Sequence, residues 1–92
     1  MRLGTVAGRV TLAVRHPRFT GERLLLTLPW KHGTFQDPES FDPSIVVYDE
    51  LGAGIGQVIA ISEGREAACP FRGPVPVDAY NAALIDEYFY KP

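Results

Sequence analysis

From Thr5 to Arg15 the chain alternates. Val6, Gly8, Val10, Leu12 and Val14 share one parity, and Thr5, Ala7, Arg9, Thr11, Ala13 and Arg15 share the other. Successive side chains of an extended backbone point to opposite faces, so this period of two describes a half-buried strand and excludes a helix here. The alternating stretch outruns an ordinary strand. Gly8 within it predicts a bulge or bend, the device by which a small barrel closes. His16-Pro17-Arg18 ends the strand, because proline removes a ladder donor and restricts the residue before it. Thr20-Gly21 reads as the following turn.

The rest of the chain continues in short extended pieces. Arg23 to Leu28 is an apolar run that Pro29 closes too early for a helix, so it reads as a second strand. Residues 29–43, with three prolines and a glycine, form a long loop whose Trp30, Phe35 and Phe41 are expected to fold back on the barrel; loops of this length in small domains are functional or ordered by a partner. Ser44 to Tyr48 is a third strand on β-branched propensity, and Gln57 to Ser62 a fourth, after the glycine-dense turn Gly52-Ala53-Gly54-Ile55-Gly56. Glu63 to Phe71 holds enough Arg-Glu-Ala-Ala character for one short helical turn before Pro70 stops it. Arg72-Gly73-Pro74-Val75-Pro76 is a rigid connector. The last segment reads two ways. Val77, Tyr80, Leu84 and Tyr88 sit at helical spacing with Asp78 placed to cap, while Ala79 to Ile85 is also a mainly apolar run fit for a buried strand.

At 92 residues the chain makes one domain, spanning residues 1–92. It buries roughly 64% of its unfolded surface by area scaling, a modest core that partner subunits would help to complete. The 46% hydrophobic and 22% charged fractions are those of a globular domain. No apolar run approaches the ~20 residues of a membrane span, so no membrane partner is expected. The opening Met1-Arg2-Leu3-Gly4-Thr5 lacks the long apolar stretch of a secretory signal. A lone cysteine, Cys69, has no internal disulfide partner and suits a reducing, cytoplasmic setting. Charge is uneven: residues 1–32 hold six basic side chains against one acid, and residues 33–92 hold ten acids against three basic groups. Such asymmetry fits either a nucleic-acid face or complementary faces meeting between subunits.

Chemistry is sparse. Gly52, Gly54 and Gly56 form Gly-x-Gly-x-Gly, one residue short of the dinucleotide fingerprint and followed by a strand, not a helix, so tight turns explain them better than a phosphate site. His16, His32 and Cys69 lack metal-ligand spacing. Cys69 beside Pro70 reads as a structural thiol. Asp49-Glu50 and Asp86-Glu87 are adjacent pairs, which on a strand point to opposite faces and so make no acid/base dyad. No catalytic, cofactor-binding or metal-binding residue is expected, and the chain reads as a non-enzyme, mainly β, with a five-stranded barrel as its architecture.

Several segments taken in order resemble the EutN/CcmL family, the pentameric vertex proteins of bacterial microcompartment shells (BMC-P). These are the opening strand with Gly8 and Val10, and Val14-Arg15-His16 followed by Gly21-Glu22-Arg23-Leu24-Leu25. The central Tyr48-Asp49-Glu50-Leu51-Gly52-Ala53-Gly54-Ile55-Gly56-Gln57-Val58 resembles the family signature of an aspartate, two residues and Gly-Ala-Gly-x-Gly. Gly64-Arg65-Glu66-Ala67-Ala68 and Pro76-Val77-Asp78-Ala79 complete the match. Gln57 stands where glutamate is common in the family, Ala68 where arginine is, and Asn81 interrupts a run that is elsewhere apolar. The resemblance implies an OB-like five-stranded barrel, with Val77 to Asp86 as strand. It also implies a cyclic homopentamer at the five-fold vertices of a shell, with hexameric and trimeric shell proteins as partners and a place in a cytoplasmic microcompartment. Subunit contacts are expected at Gly52, Ala53, Gly54, Gly56, Pro76, Val77 and Asp78, the glycines of the turn letting backbones approach closely. The rival expectation is an OB-fold module that binds single-stranded nucleic acid through basic residues such as Arg9 and Arg15.

Overall fold

Five strands close on themselves in a computed structural model that describes residues 1–11, 23–35, 40–64 and 79–89. The strands are β1 (Arg2–Val10), β2 (Arg23–Pro29), β3 (Ile45–Asp49), β4 (Val58–Glu63) and β5 (Ala79–Leu84), with a short 3-10 helix at His32–Phe35 between β2 and β3. Around the barrel the order is β1-β2-β3-β5-β4. Every pairing is antiparallel except β3 with β5, which meet in parallel at Tyr48 and Tyr80. The final segment is therefore strand. A helix at its place would leave β3 and β4 with unpaired edges, and closure removes those edges. The helical turn expected after Glu63 lies outside the described residues.

One row of each strand points inward. Val6, Leu25, Val47, Ala53, Ile59, Ile61 and Ala79 form the buried apolar cluster. Gly4 belongs to the same interior: a Cβ there would stand 2.6 Å from Ile61 Cδ1 and 2.7 Å from Thr27 Cγ2, so the barrel has no room for one. Thr27, Asp49 and Asn81 are buried polar members of this interior.

The alternation in β1 does not run straight through. Val6 faces Thr27 and Gly8 faces Leu26, leaving Ala7 as an extra residue without a cross-strand partner. The expected bulge is present, and it has a consequence that the even spacing of valines conceals. A one-residue slip moves every later side chain to the opposite face. Val6 points into the core, whereas Gly8 and Val10 share the outer face with Leu26 and Leu24. A second irregularity, at Ala82, does the same to β5.

The long segment after β2 is tied to its own barrel. Trp30 donates its indole N–H to Thr5 Oγ1 at 2.8 Å and its backbone N–H to Leu3 O, and it forms a β-bridge with Phe41. Thr34 is buried, accepting from the Lys31 N–H and donating to the Ser40 carbonyl. Trp30 thus folds back as expected. At the end of the segment, Arg2 bridges Asp42 at 3.0 Å and Glu63 at 2.6 Å.

Candidate functional site

The chain from β3 to β4 crosses one end of the barrel, and Asp49 dictates how. Its carboxylate is fully buried. Oδ1 accepts the Leu51 N–H at 3.0 Å and the Asn81 Nδ2–H at 2.8 Å. Oδ2 accepts the Gly52 and Ala53 N–H groups at 3.1 and 3.0 Å. Four donors thus meet the four lone-pair positions of a carboxylate. The Arg23 Nε lies 3.4 Å from Oδ2, and the other end of the guanidinium donates to Ala53 O at 2.8 Å. The half-exposed Arg23 guanidinium balances the buried Asp49 charge from the barrel's rim. Asp side chains commonly bond backbone N–H groups two to four residues onward, and here that habit folds the whole turn.

Two glycines finish the path. Gly52 has φ 81° and Gly56 φ 88°, both left-handed, a conformation that side chains with a Cβ resist. The Gln57 N–H bonds Gly54 O at 3.1 Å, closing a reverse turn whose third residue is Gly56, as a type II turn requires. The Gln57 side chain returns the contact, its Oε1 accepting the Gly54 N–H at 3.0 Å. A carboxylate could accept that N–H equally, so Gln57 preserves the role open to the usual glutamate. The turn is welded to β1 by Gly56 N–H to Val6 O and by Val6 N–H to Gln57 O.

Of the residues singled out from sequence, Gly52, Ala53, Gly54 and Gly56 come together on this clamp, while Pro76, Val77 and Asp78 lie outside the described residues. Ala53 plugs the barrel end and is buried; Gly52, Gly54 and Gly56 are exposed. Gly54 has no left-handed φ and no described atom near a would-be Cβ, so nothing among the described residues requires glycine there. Sequence reading missed Asp49, Arg23 and Asn81 as the turn's scaffold. An aspartate followed closely by Gly-Ala-Gly was a usable signal for Asp49. Asn81, 32 residues away from it, was legible only as an interruption of an apolar run.

The surroundings hold little chemistry. Among the described residues no three His, Cys, Asp or Glu side chains cluster as metal ligands. No helix among the described residues is long and apolar enough to cross a membrane. Tyr48 and Tyr80 stack at 6.3 Å, an arrangement that invites comparison with a base-stacking platform. Tyr48 is buried, however, and the Tyr80 hydroxyl contacts Glu50. Burial first, and then the Glu50 charge, push the Tyr80 hydroxyl's pKa above its ordinary value. A covered ring beside a carboxylate disfavours a nucleic-acid strand.

A closed five-stranded barrel with almost no helix belongs to the class of small all-β barrel domains. Within that class the chain belongs to the EutN/CcmL family, described as ethanolamine utilisation protein EutN/carboxysome, which matches residues 1–86. It resembles the GrpN pentameric microcompartment shell protein from Rhodospirillum rubrum, with 25% identity and TM-score 0.82 over 99% of this chain and 100% of that one. The pentameric shell protein MSM0273 from the RMM microcompartment is 28% identical, TM-score 0.83, over 100% of this chain and 99% of that one. The ethanolamine utilization protein EutN from Escherichia coli is 27% identical, TM-score 0.78, over 98% and 89%. No curated protein matches the chain in sequence.

Proposed function

We infer that this protein is a structural component of a bacterial microcompartment shell, a homopentamer that fills its five-fold positions. The observation that carries the reading is the family match over residues 1–86, joined to the end-to-end likeness of the barrel to shell proteins described as pentameric. A shell tiled by flat hexagonal units needs five-fold corners to curve and close, and a ring built from one interface repeated five times supplies such a corner. The role requires no catalytic group, and the protein acts by assembly and not by catalysis. Hexameric and trimeric shell proteins are its outer partners, and the compartment lies in the cytoplasm. The exposed glycines of the 52–56 turn, with Pro76, Val77 and Asp78, meet the neighbouring copy. That placement gives Gly54 a reason for being glycine that the described residues of its own protomer do not.

Native mass tests the reading. A chain of 10.1 kDa assembled as a ring of five weighs about 50 kDa. A monomer or dimer at micromolar concentration would overturn it. Gly54→Leu then tests the turn: the barrel keeps its strand circular dichroism while the native mass falls. A Gly54→Leu protein that still runs as the parent pentamer removes the turn from the junction.

A further inference from the structure

Asn81 holds its place in β5 at a visible cost. It is fully buried. Its Nδ2–H donates to Asp49 Oδ1 at 2.8 Å, but its own Oδ1, equally buried, has no partner among the described residues. A buried acceptor left unpaired is unfavourable, and an apolar side chain of similar size would avoid the penalty. The strand has a use for the amide, because its backbone specifies its position weakly on one side. Toward β3 the described residues make a single parallel pair, Tyr48 with Tyr80, whereas β2 pairs with β3 along its whole length. Toward β4 the register slips at Ala82, and the alanines at 79, 82 and 83 give the strand little bulk to lock one register. A slip by one residue would turn Asn81 outward and leave Asp49 Oδ1 without its amide donor. A single buried polar contact is an attested device for choosing one register among several.

The same carboxylate shapes the turn. Oδ1 is shared between Asn81 and the Leu51 N–H, while Oδ2 receives the Gly52 and Ala53 N–H groups. By holding Oδ1, the amide fixes the rotation of the carboxylate, and that rotation decides whether Oδ2 meets the turn. Tyr80, the preceding residue of β5, adds a second fastening. Its ring stacks on Tyr48 at 6.3 Å and its hydroxyl donates to Glu50 at 3.4 Å. Side chains at 48, 49 and 50 thus join β5 to the end of β3 and the start of the turn.

We propose that Asn81 is a positioning residue for ring assembly: it selects the register of β5 and, through Asp49, holds the turn in the shape that meets the neighbouring copy. The assembly half of this rests on the pentamer reading. In Asn81→Leu the amide is lost but the core stays filled, so the circular dichroism of the strands is retained. Hydrogen exchange of the intact chain is expected to quicken about tenfold at the Leu51, Gly52 and Ala53 amides, the scale of one lost hydrogen bond, while amides of the β1–β2 ladder change less. The ring is expected to dissociate at a roughly tenfold higher concentration than the parent's. Ile59→Val, which trims the buried core of β4 and removes no polar group, is the control. Turn exchange that is unchanged in Asn81→Leu, or raised as much in Ile59→Val, overturns the hold on the turn. Quickened exchange in a ring that dissociates as the parent does overturns the part in assembly. Asn81→Ala takes the place of Asn81→Leu should the latter not fold. A parent that does not run at about 50 kDa overturns the pentamer reading itself, and the exchange comparison then still decides whether Asn81 holds the turn.

Discussion

Two charged clusters on this barrel use the same chemistry in opposite surroundings. At the turn, Asp49 is buried, saturated by four N–H donors and neutralised by Arg23. Near the start of β1, Arg2 reaches two carboxylates, Asp42 and Glu63, with all three side chains 36–40% exposed. The shorter contacts belong to the exposed cluster, at 2.6 and 3.0 Å against 3.4 Å for Arg23 with Asp49. Distance therefore does not rank them. Water screens the exposed trio and competes for its hydrogen bonds, whereas removing the buried Asp49 carboxylate leaves the N–H donors that meet it without that partner. The buried cluster shapes the backbone, and the exposed one pins a loop end.

The largest expected effect breaks the buried side. Asp49→Ala strands three backbone N–H groups and the buried Asn81 amide, and should cost about 3–5 kcal/mol, measured by urea unfolding. That is a large share of the roughly 5–15 kcal/mol that holds a domain together. A loss below about 1 kcal/mol would erase the distinction between the clusters. Asn81→Leu is gentler. It removes one donor to Asp49 but also deletes Asn81 Oδ1, a buried acceptor with no partner, so a loss of about 1–2 kcal/mol is expected. A cost equal to that of Asp49→Ala would mean that the Asn81 amide, and not the turn's own N–H groups, holds the carboxylate.

On the exposed side, Glu63→Gln should cost roughly 0.2–1 kcal/mol at low salt and next to nothing in about 1 M salt. The Glu63 hydrogen bond is the main reason that the Arg2 pKa is raised, and arginine is charged at every working pH. A salt-independent loss would place the trio with the buried cluster.

The smallest effect is alkaline. Tyr80 holds its proton to higher pH in the folded barrel than the ordinary tyrosine value of 10.0, through burial first and Glu50 second. A group whose folded pKa is raised contributes stability that is complete below its unfolded pKa and lost as pH rises through the folded one. Thermal unfolding of the parent should therefore weaken from pH 10 upward by more than that of Tyr80→Phe. Parallel curves would show that the ring pair at Tyr48 and Tyr80 senses no pH.

Much of the barrel was legible along the chain, and the reasons are local. The proline at position 29 ends β2 and the glycines at 52–56 separate β3 from β4, so those strands lie within a residue or so of their sequence bounds. Register was not legible. Nothing in the alternation of Val6, Gly8 and Val10 shows that Ala7 is skipped, because a bulge is a property of two paired strands and not of one. Of the candidate contact surface, the turn was visible through its glycines and its aspartate. Arg23 and Asn81 were not, since β2 and β5 must be laid beside β3 before those residues reach Asp49.

Sequence alone determined where this chain must stay extended, where it must turn, and which family it resembles, because backbone preference and side-chain alternation act over a few residues. Tertiary structure supplied the physical reason that the last segment is a strand, as the family resemblance implied against the slight helical preference of its own residues: β3 and β4 offer it two edges to pair. It also decided that Asp49 and Asn81 belong together inside the core. A buried carboxylate is tolerable only when its partners arrive from every side, and closing the barrel is what brings β2, β5 and the turn to it at once.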